Sequence, residues 1–218
     1  VLEEKDETRG EIHIGVIPTL APYLMTLFIK DFIKQNPNLK IVIEELQTSQ
    51  ILQNLDDSAL DFGLLVTPIE HEGLKSEALF YEPFFAYVSE KSPLSKQAKV
   101  DQKDLNSNDL WLLTDGHCFR EQSLLLCKNR KKTSDLNKNL LFESGSLETL
   151  KRMIDQENGF TLLPYLATTD LKNSKRLKEF SAPVPSREVS LIYNQFFRKE
   201  KIKSNLIDTI QKHLPEGV

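Results

Sequence analysis

Both cysteines of this 218-residue chain fall in one short stretch, DGHCFREQSLLLC, which runs from Asp115 to Cys127. They stand nine positions apart. The thiolate, not the thiol, is the nucleophile, and nearby cations or a helix N-terminus favour it. His117 and Arg120 flank Cys118, and a helix starting near Phe119 would aim its free N–H groups at the Cys118 sulfur. Gly116 lets the backbone approach a small oxidant closely. Cys127 follows Leu124, Leu125 and Leu126, a half-buried, apolar setting in which a thiol stays inert. These residue types allow a reactive thiol and a passive one. They equally allow two small buried hydrophobes, the ordinary role of free cysteines.

Three hydroxyls stand where strands give way to helices: Thr19, Thr48 and Ser146. Each reads first as an N-cap. Each also suits a small neutral ligand, which needs hydroxyls and backbone amides rather than a charged clamp. Arg120 either stabilises a departing hydroxide or pairs with Glu121 or another acid. The histidines and cysteines show no metal-ligand spacing, so no metal or cofactor is expected. Phosphate-binding glycine loops and nucleophile elbows are absent too.

The elements that must carry these residues follow from periodicity. Glu11–Ile17 alternates like a strand. Leu20, Leu24, Leu27, Phe28 and Phe32 recur at helical spacing up to Asn36-Pro37. Leu39–Leu46 reads as a strand, Ser49–Asp57 as a helix and Asp61–Val66 as a buried strand. This alternation predicts a parallel sheet with right-handed crossovers. A second block offers strands at Phe84–Val88 and Trp111–Leu113, then a helix over about Phe119–Asn129. A polar connection, KNRKKTSDLNKN, leads to a strand in LLFESG, a helix in SLETLKRMIDQ and a strand in GFTLLP. Arg187–Asn194 is a late strand, and SNLIDTIQKHL a closing amphipathic helix. The expected fold is α/β with two Rossmann-like lobes. Lobe I takes about 10–82 and 187–218, and lobe II about 83–186. A ligand cleft between them is the natural site, since open α/β sheets bind at the carboxyl ends of their strands.

Hydrophobic residues make up 39% and charged residues 28%, with a formal net charge of −4. That balance argues against nucleic acid or an anionic membrane as a direct partner. No apolar run reaches the roughly 18 residues of a membrane span. The first nine residues, charged and without a secretion signal core, read as a linker remnant. Two cysteines in a chain this long suit a reducing cytoplasm.

Several segments resemble the effector domain of LysR-type transcriptional regulators. They are GEIHIGVIPTLAPYLMTLFIKDFIKQNPNLKIVIEELQTSQILQNLDDSALDFGLL near the start and SLETLKRMIDQENGFTLLP later. The IPT, QTSQ and DGHCFREQ…C segments resemble, more narrowly, the family's peroxide-sensing activators. The likeness runs from about Gly10 to Arg198 and implies a periplasmic-binding-protein-like fold. It implies that Cys118 is oxidised by hydrogen peroxide and that Cys127 resolves it to a reversible disulfide. It places Thr19, Thr48, His117, Arg120, Ser146 and Arg187 around a peroxide pocket. It also implies a homodimer or homotetramer, RNA polymerase as a partner, and glutaredoxin or thioredoxin as reductant. Promoter DNA would be bound through an N-terminal helix-turn-helix that this chain lacks.

If both cysteines lie on one continuous helix, nine positions separate them by about 13.5 Å and turn them to opposite faces. A disulfide needs Cα atoms about 4.4–6.8 Å apart, so closure would unravel the helix. A loop of roughly ten residues gains about 2–3 kcal/mol of stabilisation. Ordering a residue costs about 1–2 kcal/mol, so the two forms lie close in energy. The alternative is a LysR-type domain that binds a small metabolite, with incidental thiols. A thiol peroxidase and a solute-binding protein of the cell envelope are further readings, and a non-enzymatic regulator is the expectation.

Overall fold

The computed structural model describes residues 9–116, 118–127 and 144–218. His117, the whole polar connection and most of LLFESG lie outside them. Two compact units emerge. One takes the chain up to Tyr81 together with Glu188–Val218, and the other is Glu82–Arg187.

In the first unit, β1 (Gly10–Val16), α1 (Ala21–Gln35), β2 (Leu39–Glu45), α2 (Thr48–Asp56) and β3 (Phe62–Thr67) follow in order. β1 pairs in parallel with both β2 and β3, as helical crossovers require. β8 (Ser186–Asn194), reached only after the chain has passed through the second unit, lies antiparallel to β3. The parallel pairing expected of the first three strands is what they adopt, and the late strand joins them antiparallel. α1 buries Leu24, Phe28 and Phe32 on one stripe and stops at Asn36, whose Nδ2 donates to Phe32 O at 2.8 Å. α5 (Glu200–Lys212) begins four residues earlier than SNLIDTIQKHL and buries Ile202, Leu206, Ile207 and Ile210.

The helices of this unit approach the sheet closely. A Cβ at Gly63 would stand 2.5 Å from Ile51 Cγ2 and 3.4 Å from Leu55 Cδ1. Gly63→Ala is therefore expected to cost about 1–3 kcal/mol by overpacking, read as a lower urea midpoint with an unchanged slope.

In the second unit, the far end of β4 (Leu74–Val88) pairs antiparallel with β6 (Phe160–Pro164) and with β7 (Leu177–Phe180). β5 (Lys99–Val100) joins β7 in parallel. β4 starts ten residues before the expected Phe84. Pro83 inside it, and polar residues on its outer side, mask its beginning in the sequence. Trp111–Leu113 is not a strand. Leu110 makes a single bridge to Phe160, and Trp111 N donates to Phe160 O at 2.8 Å. The chain then continues without a ladder towards α3 (Cys118–Leu126). α4 (Leu147–Gln156) buries Leu147, Leu150, Lys151 and Ile154.

Candidate functional site

α3 is nine residues long, with Cys118 at its first position and Cys127 one position past its last. At about 1.5 Å per residue this puts roughly 13.5 Å of helix between them. Neither cysteine is in a disulfide; Cys118 is half-buried and Cys127 buried. The helix is shorter than the expected Phe119–Asn129, and Cys127 sits beyond it rather than on it. The separation holds; the opposite-face argument does not carry over. Cys127 N reaches back to Leu124 O at 3.3 Å, closing the helix end.

The start of α3 is anchored from both sides. Gly116 has φ +91°, a conformation that side chains with a Cβ rarely adopt. Arg120 folds back over this turn, with Nη1 donating to Leu113 O at 2.8 Å and Nε 2.7 Å from Asp115 Oδ1. Asp115 is thus an acidic partner of Arg120, one of the acids that its sequence neighbourhood offers. Phe119 is fully buried and packs on Phe84, ring centroids 5.5 Å apart. The Arg187 guanidinium lies 5.4 Å from the Phe119 ring centre. Ser123 Oγ donates to Phe119 O at 2.8 Å.

Behind Phe119 sits a buried ion pair. Arg187 Nε and Nη2 approach Glu82 Oε2 at 2.8 and 2.7 Å, and both side chains are out of solvent. Glu82 Oε1 accepts the Leu166 N–H at 2.7 Å. Sequence reasoning missed Glu82, because an acid in a strand, just before a proline, carries no local mark of burial.

Cys127 is 6% exposed, so it is buried rather than half-buried. Burial pushes its thiol from an ordinary 9.0 up to about 12. Above about pH 9 the unfolded chain releases this proton while the folded chain keeps it. Stability from this group is therefore full below that pH and is lost as pH rises towards 12. The urea midpoint of Cys127→Ala is expected to fall less steeply than that of the native chain between about pH 9 and 11. In the native state at neutral pH, iodoacetamide is expected to label Cys118 before Cys127.

The hydroxyls are placed differently from the N-cap reading. Leu20 caps α1, and buried Thr19 lies one position earlier. Gln47 caps α2, with its N–H donating to Gln50 Oε1 at 3.0 Å, and Thr48 is the first helical residue. Leucine and glutamine occupy these caps because the turn geometry places them there, against cap preference. Thr19 and Thr48 follow neighbouring parallel strands, at the same end of the first unit's sheet. Ser146 does cap α4, but its side chain makes no capping bond. The Ser144 hydroxyl holds that turn, accepting from Ser146 N at 3.1 Å. Ser144 O also accepts the Thr114 N–H at 2.9 Å, tying the approach to α4 to the segment before α3. Cys118, Arg120, Ser146 and Arg187 thus belong to the second unit, and Thr19 and Thr48 to the first. His117 lies outside the described residues. Among the described residues, no group of three His, Cys, Asp or Glu side chains could hold a metal, and no helix is long and apolar enough to cross a membrane.

The LysR substrate binding domain model matches residues 5–215. A hydrogen peroxide-inducible genes activator of Haemophilus influenzae is 32% identical over 214 residues, covering 95% of this chain and 70% of that protein. A crystal structure of an OxyR mutant from Porphyromonas gingivalis matches with a TM-score of 0.84 and 32% identity, covering 94% of both chains. The reduced form of the OxyR regulatory domain from Pseudomonas aeruginosa matches with a TM-score of 0.82 and 30% identity, covering 94% of this chain and 99% of that one. The chain thus belongs to the LysR substrate-binding domain family, and among its members it is similar to the OxyR regulatory domains and hydrogen peroxide-inducible genes activators.

Proposed function

We propose that this chain is the redox-sensing regulatory domain of a transcriptional activator, switched by hydrogen peroxide through Cys118 and Cys127. The observation that carries this is the placement of two cysteines, neither in a disulfide, at opposite ends of one short helix, one half-exposed and one buried. The Cys118 thiolate attacks one peroxide oxygen. The O–O bond breaks, hydroxide leaves, and Cys118 becomes a sulfenic acid. Cys127 then attacks that sulfur, an S–S bond forms, and the sulfenic oxygen leaves as water. Two electrons pass from the thiols to peroxide.

The second step cannot run while α3 is intact, because the thiols are too far apart for a disulfide. Unwinding α3 also takes Cys127 out of the burial that holds its thiol near 12, so it becomes able to attack. Refolding of 118–127 then alters the geometry of a homodimer or homotetramer on promoter DNA, bound through an N-terminal domain, and its contact with RNA polymerase. Arg120, two positions after Cys118 on the same helix, is assigned to stabilising the displaced hydroxide. The chain acts in the cytoplasm as a sensor, not an enzyme. It reacts once and waits for glutaredoxin or thioredoxin.

The test is a thiol count. Reduced protein titrated with hydrogen peroxide should lose two thiols per peroxide and regain both on reduction. Two thiols that persist through equimolar peroxide would leave instead a metabolite-binding domain with incidental cysteines.

A further inference from the structure

The helix between the two cysteines carries a defect. Among the described residues, Gln122 Oε1 is the buried side-chain polar atom with no hydrogen-bond partner. The rest of α3 is well held, with Phe119 on Phe84, Arg120 on Leu113 and Asp115, and Ser123 on Phe119 O. A buried acceptor without a donor gives up the hydrogen bond that water supplies in the open chain, so it disfavours the conformation that buries it. Opening α3 returns this amide to water.

We propose that Gln122 sets the poise of the thiol–disulfide switch. Its unpaired oxygen weakens folded α3 and so tilts the equilibrium towards the disulfide. The proposal rests on the assignment of Cys118 and Cys127 as that switch. Gln, Leu and Met have similar helix propensities, so exchanging them changes the buried oxygen without changing the helix tendency. Gln122→Leu and Gln122→Met remove the acceptor and stabilise the dithiol form. Gln122→Glu buries a carboxylate in its place and acts in the opposite direction.

The experiment equilibrates each protein in dithiothreitol buffers of graded ratio and counts thiols. The Leu and Met variants should favour the dithiol by about tenfold, a midpoint potential about 30 mV less negative at 29.6 mV per decade. The Glu variant should be more negative than the native chain. With peroxide in rapid mixing, sulfenic acid should form at Cys118 at the native rate in the Leu and Met variants, while disulfide closure slows. Potentials that coincide with the native value would overturn the proposal. So would a loss of rate in the first oxidation, which would make Gln122 a peroxide-binding group instead. The native chain is its own control: if it forms no Cys118–Cys127 disulfide, the switch assignment itself fails.

Discussion

Cys118→Ser is expected to abolish the response to hydrogen peroxide entirely, whereas Cys127→Ser keeps the first step and loses the second. The serine at 118 cannot supply a thiolate, and Cys127 cannot substitute for it, since burial holds that thiol near 12. In the Cys118→Ser chain, intact mass should be unchanged after peroxide and the Cys127 thiol should remain countable. In the Cys127→Ser chain, Cys118 should gain one oxygen and trap a sulfenic-acid reagent. Excess peroxide should then carry it on to the sulfinic acid, which thiols do not reverse. A Cys118→Ser chain that still consumed peroxide at the native rate would reverse the two roles.

Arg187→Met is expected to destabilise the fold by about 3–5 kcal/mol, the usual cost of leaving one member of a buried ion pair alone. Such a loss is a large part of the roughly 5–15 kcal/mol that holds a domain together. Glu82 would be stranded out of solvent, and Phe119 would lose the guanidinium above its ring. Glu82→Gln combined with Arg187→Met should recover most of the loss. The glutamine still accepts from Leu166 N, and no charge is left buried. Urea midpoints of the single and double variants check this. A single variant as stable as the native chain would mean that the pair contributes nothing.

The contrast between a half-exposed Cys118 and a buried Cys127 was legible because the flanking cations and leucines lie within a dozen positions. The stripe Leu24, Phe28, Phe32 was legible for the same reason, since a buried helix face repeats every three or four residues. Glu82 and Arg187 were not legible as a pair, because their contact spans 105 positions and each looks like a solvent-facing charge in its own neighbourhood. The start of β4 was hidden by Pro83, and Trp111–Leu113 has strand composition without a strand's ladder. The helix starts at Thr19 and Thr48 were found to within a residue. The caps themselves went to Leu20 and Gln47, because cap preference is a bias of about 1 kcal/mol that tertiary packing readily overrides.

If Cys118 and Cys127 form the proposed switch, the disulfide and helix α3 exclude one another. Amide hydrogen exchange over residues 118–127, measured on the reduced protein and again after stoichiometric peroxide, tests this most directly. The reduced protein should protect the α3 amides, those of Ser123 and Leu124 included. The oxidised protein should lose that protection while β6 and α4 keep theirs. A Cys118–Cys127 disulfide that formed with α3 still protected would contradict the account.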